Sequence, residues 1–147
     1  MKTKEAKDYL LQIRKLDTLI NNKIAEVEHW KAVACGVGTF SEGERVQSSG
    51  NKQKMAAAVE RYIDIQAEIT ADIDKLIDLK QEVIKTIEKL PVAEYDLLHK
   101  VYVQGWSLDM VAEFKDRSRS WADTVHGRAL VSLQRVLNER KENNDDR

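Results

Sequence analysis

The sequence predicts an all-α protein, and three observations carry this prediction. Only one proline and six glycines occur among 147 residues, too few turn-forming residues for the many strands of a β-sandwich or β-barrel. On each side of a glycine-rich segment the chain runs for more than 30 residues without either residue. Within these runs apolar residues recur every three or four positions, which is the spacing of one helix face.

The composition is that of a folded, soluble protein. Hydrophobic residues make up 42 % of the chain and charged residues 33 %, with 24 Lys+Arg against 25 Asp+Glu. The single cysteine, Cys35, excludes an internal disulfide bond. No apolar run of about 18 residues and no secretion signal occur, so we expect a cytoplasmic protein that does not bind membranes.

Residues 1–90 are predicted to form a long antiparallel helical hairpin, similar to a coiled coil, around a loop at 35–51. The first helix extends from about Thr3 to Ala34. One of its faces is apolar: Ile13, Leu16, Ile20, Ile24, Val27, Trp30 and Ala34. In the second helix, steps of four and three residues define a heptad seam: Met55, Val59, Tyr62, Gln66, Ile69, Ile73, Leu76, Lys80, Val83, Ile87 and Leu90.

The length of this seam predicts a homodimer through the long helices. The seam covers 36 positions, more than a first helix of about 32 residues can bury. Gln66 and Lys80 interrupt it, and polar seam residues commonly select register or oligomeric state. In the alternative interpretation, Lys80 extends its ammonium group to solvent and Gln66 lies at a wet edge.

Pro91 ends the hairpin, and residues 91–142 are predicted to form a helix-turn-helix domain. The apolar pattern gives three shorter helices, at Val92–Val103, Ser107–Phe114, and from Ser118 or Ser120 to about Arg140. Two groups of residues are predicted to face the core: Val111 and Ala112, and then Ala122, Val125, Ala129, Leu130 and Leu133. Residues 143–147 have nothing to bury, so we expect a frayed tail.

The stretch from Leu90 to Leu137 resembles the promoter-reading C-terminal helix-turn-helix domain of bacterial sigma factors. The resembling elements are Leu90-Pro91, Tyr95, Leu97-Leu98, Tyr102, Gly105, Ser107, Val111-Ala112-Glu113, Ser118, Val125, Arg128-Ala129-Leu130 and Leu133. Two further stretches, Arg45–Ile69 and His126–Leu130, resemble late-transcription regulators of the ArpU/RinA type from phages and prophages of Gram-positive bacteria.

This resemblance implies a DNA-reading surface at the start of the last helix. Ser118 would begin the recognition helix, and Arg119, Ser120, Asp123 and Thr124 would face the bases. The residues expected to contact DNA are Lys115, Arg117, Ser118, Arg119, Ser120, Trp121, Thr124 and Arg128. From Lys115 to Lys141 there are seven basic residues and three acidic ones, and this local excess of positive charge attracts phosphate.

The chain departs from the sigma-type pattern at three positions. Asp116 replaces the glycine of the turn, Arg117 replaces the apolar residue after it, and Asp123 stands at an often basic reading position. Asp123 has two interpretations: it closes a capping box with Ser120 at the helix start, or it accepts a hydrogen bond from a cytosine amino group.

We therefore expect a phage-encoded, DNA-binding transcription regulator of the bacterial cytoplasm, an activator of late phage genes, that is not an enzyme. Its expected partners are double-stranded promoter or operator DNA, a second copy, and host RNA polymerase. We expect no cofactor, metal or catalytic residue, because the three histidines are far apart and no phosphate loop or nucleophile motif occurs. The alternatives are a DNA-packaging component similar to a small terminase subunit, and a coiled-coil adaptor that does not bind DNA.

Overall fold

The computed structural model describes residues 2–36 and 49–146, and these residues form five α-helices. The all-α fold predicted from the sequence is confirmed. Most of the predicted loop, residues 37–48, lies outside the described residues. The rest of it differs at one end, because residues 49–51 already belong to the second helix.

Helices α1 (Lys4–Ala34) and α2 (Ser49–Ile87) are the two long helices, and they pack antiparallel as predicted. The shorter helices α3 (Val92–Leu98), α4 (Leu108–Phe114) and α5 (Arg119–Asp145) form a small bundle. A π-helical segment, His99–Val103, extends α3. Because α5 continues to Asp145, three residues of the expected frayed tail are helical.

Two compact units divide the described chain, and neither coincides with a predicted domain. One unit combines the start of α1, up to Lys15, with the residues from Ile77 onward; the other is Leu16–Leu76. The predicted domains, 1–90 and 91–142, follow the helix pattern rather than compactness, and they stay a prediction.

The unit Leu16–Leu76 has a narrow apolar seam that includes the ion pair between Lys23 and Asp72. Ile20 and Val27 of α1 and Ala58 and Ile65 of α2 are buried. In the same seam the Lys23 ammonium group contacts the Asp72 carboxylate at 2.6 Å, and Asp72 is only 7 % exposed. The hydrogen bond to Asp72 raises the pKa of Lys23. A charged pair at a seam position fixes the register of the two helices, because sliding either helix would leave the buried carboxylate of Asp72 without its partner.

The register predicted for α2 was wrong by one residue along one edge of the seam. The buried residues there are Ala58, Ile65 and Asp72, whereas Gln66 and Ile73 are exposed. Ile24 of α1, predicted on the apolar face, is also 45 % exposed. Apolar residues on both flanks of these helices produce two overlapping heptad patterns, and the sequence does not distinguish the one that closes the hairpin.

The other unit buries apolar side chains from the start of α1, from the end of α2 and from the bundle. Its core residues are Ala6, Leu10, Ile13, Val83, Ile87, Leu90, Leu97, Leu98, Val101, Tyr102, Val111, Ala112, Ala122, Val125, Ala129, Leu130 and Leu133. The residues predicted to face inward from α4 and α5 are all among them, so that prediction is confirmed.

A buried glutamine links α5 to the beginning of α1 in this unit. The Oε1 atom of Gln134 accepts a hydrogen bond from the backbone N–H of Ala6 at 3.0 Å, and Gln134 is only 4 % exposed. The N–H groups of the first helical turn have no partner within their own helix. Gln134 therefore caps α1 from a position 128 residues away in the sequence.

No helix within the described residues is long and apolar enough to span a membrane.

Candidate nucleic-acid interface

The turn between α4 and α5 is fixed by backbone hydrogen bonds that end α4. The N–H of Arg117 donates to the carbonyl of Ala112 at 2.8 Å, and the N–H of Asp116 donates to the carbonyl of Glu113 at 3.1 Å. This pair of bonds is a Schellman motif, whose C′ residue is left-handed and is commonly glycine. Asp116 occupies that position with φ of +54°. Aspartate is one of the few other residues that tolerate this conformation, so the turn keeps its shape without the glycine.

Helix α5 begins with a hydroxyl cap on Ser118. Its side-chain oxygen accepts a hydrogen bond from the N–H of Trp121 at 3.1 Å, which satisfies one of the free donors of the first turn. The predicted capping box of Ser120 with Asp123 is therefore wrong, because Ser120 already lies inside the helix. The prediction that Ser118 starts the recognition helix is consistent with this cap.

Four residues of α5 form an exposed surface opposite its buried face. Arg119, Ser120, Asp123 and Thr124 are all exposed. The hydroxyl of Thr124 donates to the carbonyl of Ser120 at 2.9 Å, so its oxygen is directed along the helix and retains its capacity to accept. These are the residues that the resemblance assigned to the bases, and the structure brings them together on one face.

Arg119 is held by two carboxylates from two helices. Its Nη1 lies 2.9 Å from Oδ1 of Asp109 on α4, and its Nε lies 3.1 Å from Oδ1 of Asp123. These hydrogen bonds, the one to Asp109 first, raise the pKa of the Arg119 guanidinium group. The sequence did not predict Asp109 as part of this surface; the only available signal was its carboxylate in the first turn of α4.

Lys115 lies in a separate cluster at the edge of the surface. Its ammonium group contacts the Asp96 carboxylate at 2.8 Å, and Lys100 contacts the same carboxylate. Burial raises the pKa of Asp96, but the hydrogen bonds from Lys100 and Lys115 outweigh it and leave this pKa below its ordinary value. The charge of Lys115 is therefore partly neutralised, and it contributes less attraction for phosphate than its position in the sequence suggests.

The Arg117 guanidinium group contacts the aromatic ring of Trp121. The Arg117 guanidinium group lies 5.8 Å from the centre of the Trp121 ring, which is half-buried. Trp121 therefore has one face covered by a cation rather than free for a base. Arg117 itself is exposed and has no carboxylate within ion-pair distance among the described residues.

A shallow depression continues the exposed surface along α5. It is lined by Glu94, Asp123, Thr124, Gly127, Arg128, Val131, Ser132 and Arg135. Arg128 and Arg135 are exposed cations with no ion pair among residues 2–36 and 49–146. Gly127 is exposed, and a Cβ atom added there would meet nothing within 4 Å.

Not all of the basic residues counted from the sequence lie at this surface. Arg140 donates to the Thr86 hydroxyl at 2.7 Å and contacts Glu82, and Lys141 contacts Glu5 at 2.6 Å. These contacts tie the far end of α5 to the ends of α1 and α2. The local excess of positive charge from Lys115 to Lys141 therefore overstates the charge available for phosphate.

The histidine of α5, His126, contacts Tyr102 of the π-helical segment. The ring of His126 stacks on Tyr102, with its Nε2 atom 2.8 Å from the tyrosine hydroxyl. Burial, followed by the charge of Lys7, lowers the pKa of His126. Within the part of the chain that the structure describes, no three His, Cys, Asp or Glu side chains come together to hold a metal ion.

The exposed side of the α4–turn–α5 segment thus presents arginines, hydroxyl groups and one unobstructed glycine along a single helix face. Comparison with protein-family models, curated proteins and solved structures found no match for this chain.

Proposed function

We propose that this chain is a phage-encoded transcription regulator that reads double-stranded promoter or operator DNA with the α4–turn–α5 segment. The observation that carries the proposal is the exposed face of α5, where Arg119, Ser120 and Thr124 lie together while the opposite face is buried. An α-helix fits the major groove, and in helix-turn-helix proteins the first turns of the second helix contact the bases.

The predicted contact residues fall into two groups according to the part of DNA that each would contact. Arg119, Ser120 and Thr124 lie at the first turns of α5 and would contact base edges. Arg117 and Arg128 flank them with exposed guanidinium groups and would contact phosphates. The Ser118 hydroxyl already caps α5, so its contribution to DNA binding would be mainly the orientation of the helix.

Gly127 provides independent support for a partner that approaches α5 closely. A glycine inside a helix costs roughly 0.5–1 kcal/mol relative to alanine. The fold does not require glycine at this position, because a Cβ atom would meet nothing and the backbone is helical. The absence of a side chain between Thr124 and Arg128 would let the sugar-phosphate backbone of DNA approach α5 closely.

Two arginine substitutions test the proposal with different expected results. Arg119→Ala should lower affinity for a preferred duplex and change the sequence preference, by roughly 1–3 kcal/mol for a bidentate base contact. Arg128→Ala should weaken binding to all duplexes alike and make it less dependent on salt. Both side chains are exposed, so neither change should unfold the protein.

The matched control is Arg61→Ala, which removes an exposed arginine from α2. The measurement is fluorescence anisotropy at several salt concentrations, with duplexes selected from a random library by the native protein. If Arg119→Ala and Arg128→Ala bind like the parent, the reading surface is misassigned. If the native protein binds no duplex at any salt concentration, the adaptor function replaces this proposal.

We also propose that the protein forms a two-fold homodimer through the long helices. The unit Leu16–Leu76 carries four large apolar side chains that are 41–52 % exposed: Leu19, Ile24, Ile63 and Ile73. Burying such side chains against a second copy is favourable, and a two-fold dimer presents two reading helices to two half-sites of DNA.

Sedimentation at tens of micromolar tests this second proposal. We expect a dimer for the native protein and a monomer for Ile63→Glu combined with Ile73→Glu, whereas Thr18→Glu on the exposed side of α1 should remain dimeric. A native monomer would contradict the proposal, and a larger ring would favour the DNA-packaging alternative.

A further inference from the structure

Two carboxylates hold the Arg119 guanidinium group, and we call this arrangement the clamp. It suggests a role for acidic residues on a surface proposed to contact DNA. Asp109 and Asp123 both contact the guanidinium group, from α4 and α5 respectively. We propose that these two aspartates position Arg119 to read a guanine and thereby determine sequence specificity. This inference rests on the DNA-binding function proposed above.

The hydrogen-bond capacity of Arg119 supports this assignment. A guanidinium group has five N–H donors. The clamp uses the N–H on Nε and one N–H on Nη1, and within the described residues the other N–H of Nη1 and both of Nη2 have no carboxylate partner. Guanine presents two acceptors, O6 and N7, at its major-groove edge, and an arginine pairs with both through two neighbouring N–H groups. The clamp thus leaves a pair of donors for the base.

The clamp also reduces the side-chain conformational entropy that Arg119 would otherwise lose on binding DNA. A free arginine side chain has many rotamers, and ordering it at an interface lowers affinity. Here the Asp109 contact crosses from one helix to the other over 10 residues of sequence, so the guanidinium group is fixed relative to both helices of the motif. Preorganisation of this kind strengthens the correct base contact without strengthening contacts to other sequences.

The negative charges act on non-specific binding in the opposite direction. Asp109 and Asp123 are 72 % and 56 % exposed at their side chains, so both carboxylates remain close to any approaching phosphate. They repel phosphate and therefore weaken binding that depends on charge alone. Preorganisation of Arg119 therefore raises the ratio of specific to non-specific affinity, whereas the repulsion lowers the affinity for every duplex.

This assignment differs from both sequence-based interpretations of Asp123. Ser118 rather than Ser120 caps α5, so Asp123 is not part of a capping box. Its Oδ1 accepts from Arg119 Nε, so this carboxylate holds the arginine and is not an unpaired acceptor waiting for a cytosine amino group. Asp123 is therefore a positioning residue. It should affect DNA binding by holding the Arg119 side chain in place.

The test compares base preference among carboxylate-to-amide variants of the full-length protein. Duplexes are selected by the native protein from a library with about 20 randomised base pairs, which spans two major-groove half-sites. Affinities are then measured for the selected duplex, for copies in which each guanine is replaced by adenine, and for an unselected duplex. The variants are Asp109→Asn, Asp123→Asn and their combination, with Arg119→Ala as the reference for loss of the contact.

We expect the combined variant to bind the unselected duplex as tightly as the native protein or more tightly. Its preference for the selected duplex should fall at least tenfold, with the loss concentrated at one guanine, the same guanine that Arg119→Ala no longer distinguishes. In the Arg119→Ala background the two amide substitutions should have no further effect at that guanine. Thermal unfolding of each variant checks that the fold is unchanged, and the single variants serve if the combined one unfolds.

The matched control is Glu113→Gln, which removes one exposed carboxylate from α4 without touching Arg119. If Glu113→Gln reproduces the loss of preference, charge alone is responsible and the positioning role is wrong. If the native protein selects a sequence but the aspartate variants retain its guanine preference, the inference fails while DNA binding stands. If the native protein selects no sequence, the inference fails together with the proposed function.

Discussion

Replacing Gly127 by alanine should stabilise the fold and weaken DNA binding at the same time. Gly127 is exposed in the interior of α5, and its surroundings leave room for a methyl group. The substitution removes the cost of glycine in a helix, which is roughly 0.5–1 kcal/mol. For a chain of this size that gain should raise Tm by about 1–4 °C.

The effect on DNA has the opposite sign because the new methyl group lies on the proposed contact surface. It would stand between Thr124 and Arg128, where the DNA backbone is expected to approach most closely. Thermal unfolding followed by circular dichroism gives the first quantity, and anisotropy titration with a selected duplex gives the second. Asn22→Ala in α1 is the control, because it also improves helix propensity at an exposed position but lies far from α5 in the sequence.

The two measurements can refute the reasoning separately. If Gly127→Ala raises Tm and leaves affinity unchanged, DNA does not approach this part of α5. If it lowers Tm, a side chain at position 127 costs more than the gain in helix propensity, and the explanation of this glycine fails. If Asn22→Ala weakens DNA binding as much as Gly127→Ala does, the loss of affinity results from the change in stability and not from the new methyl group on the contact surface.

The remaining predictions concern the fold that supports the surface. Gln134→Leu should lower the free energy of unfolding by roughly 1–3 kcal/mol, because it leaves a buried backbone N–H without an acceptor; a loss below 0.5 kcal/mol in urea titration, the range of ordinary surface changes, would contradict the cap. Ser118→Ala should cost about 1 kcal/mol in the same assay and Ser120→Ala clearly less, and the reverse order would restore the capping box. Because burial lowers the pKa of His126, the contribution of this histidine to the free energy of unfolding should be fully present above its ordinary pKa of 6.5 and should be lost as the pH falls below that value, toward the lower pKa of the folded state. His126→Gln should remove this part of the decline, and an unchanged pH profile would contradict it.

The sequence predicted the helices well because their signals are local. Ser107 and Ser118 are hydroxyl residues before amphipathic stretches, and each accepts a hydrogen bond from the N–H three residues later. The inward positions of α4 and α5 followed from helical spacing alone. Asp116 was recognised as standing in place of a turn glycine, and its positive φ is the backbone state that such a position requires.

Features that depend on long-range contacts could not be predicted in this way. The seam of α2 contains Asp72 because Lys23 of α1 lies opposite it, and no periodicity of one helix reveals a partner on another. The same is true of Gln134, whose acceptor role depends on the start of α1. In the surface proposed to contact DNA, Asp109 was missed because its contact with Arg119 joins two helices across the turn.

Amide hydrogen exchange with and without a selected duplex tests the central claim most directly. We expect DNA to slow exchange in the turn 115–118 and in the first turns of α5, up to about Arg128, and to leave exchange in most of α1 and α2 unchanged. Protection confined to the long helices, or no protection at a concentration of duplex that saturates binding, would contradict the claim that this chain reads DNA through α5.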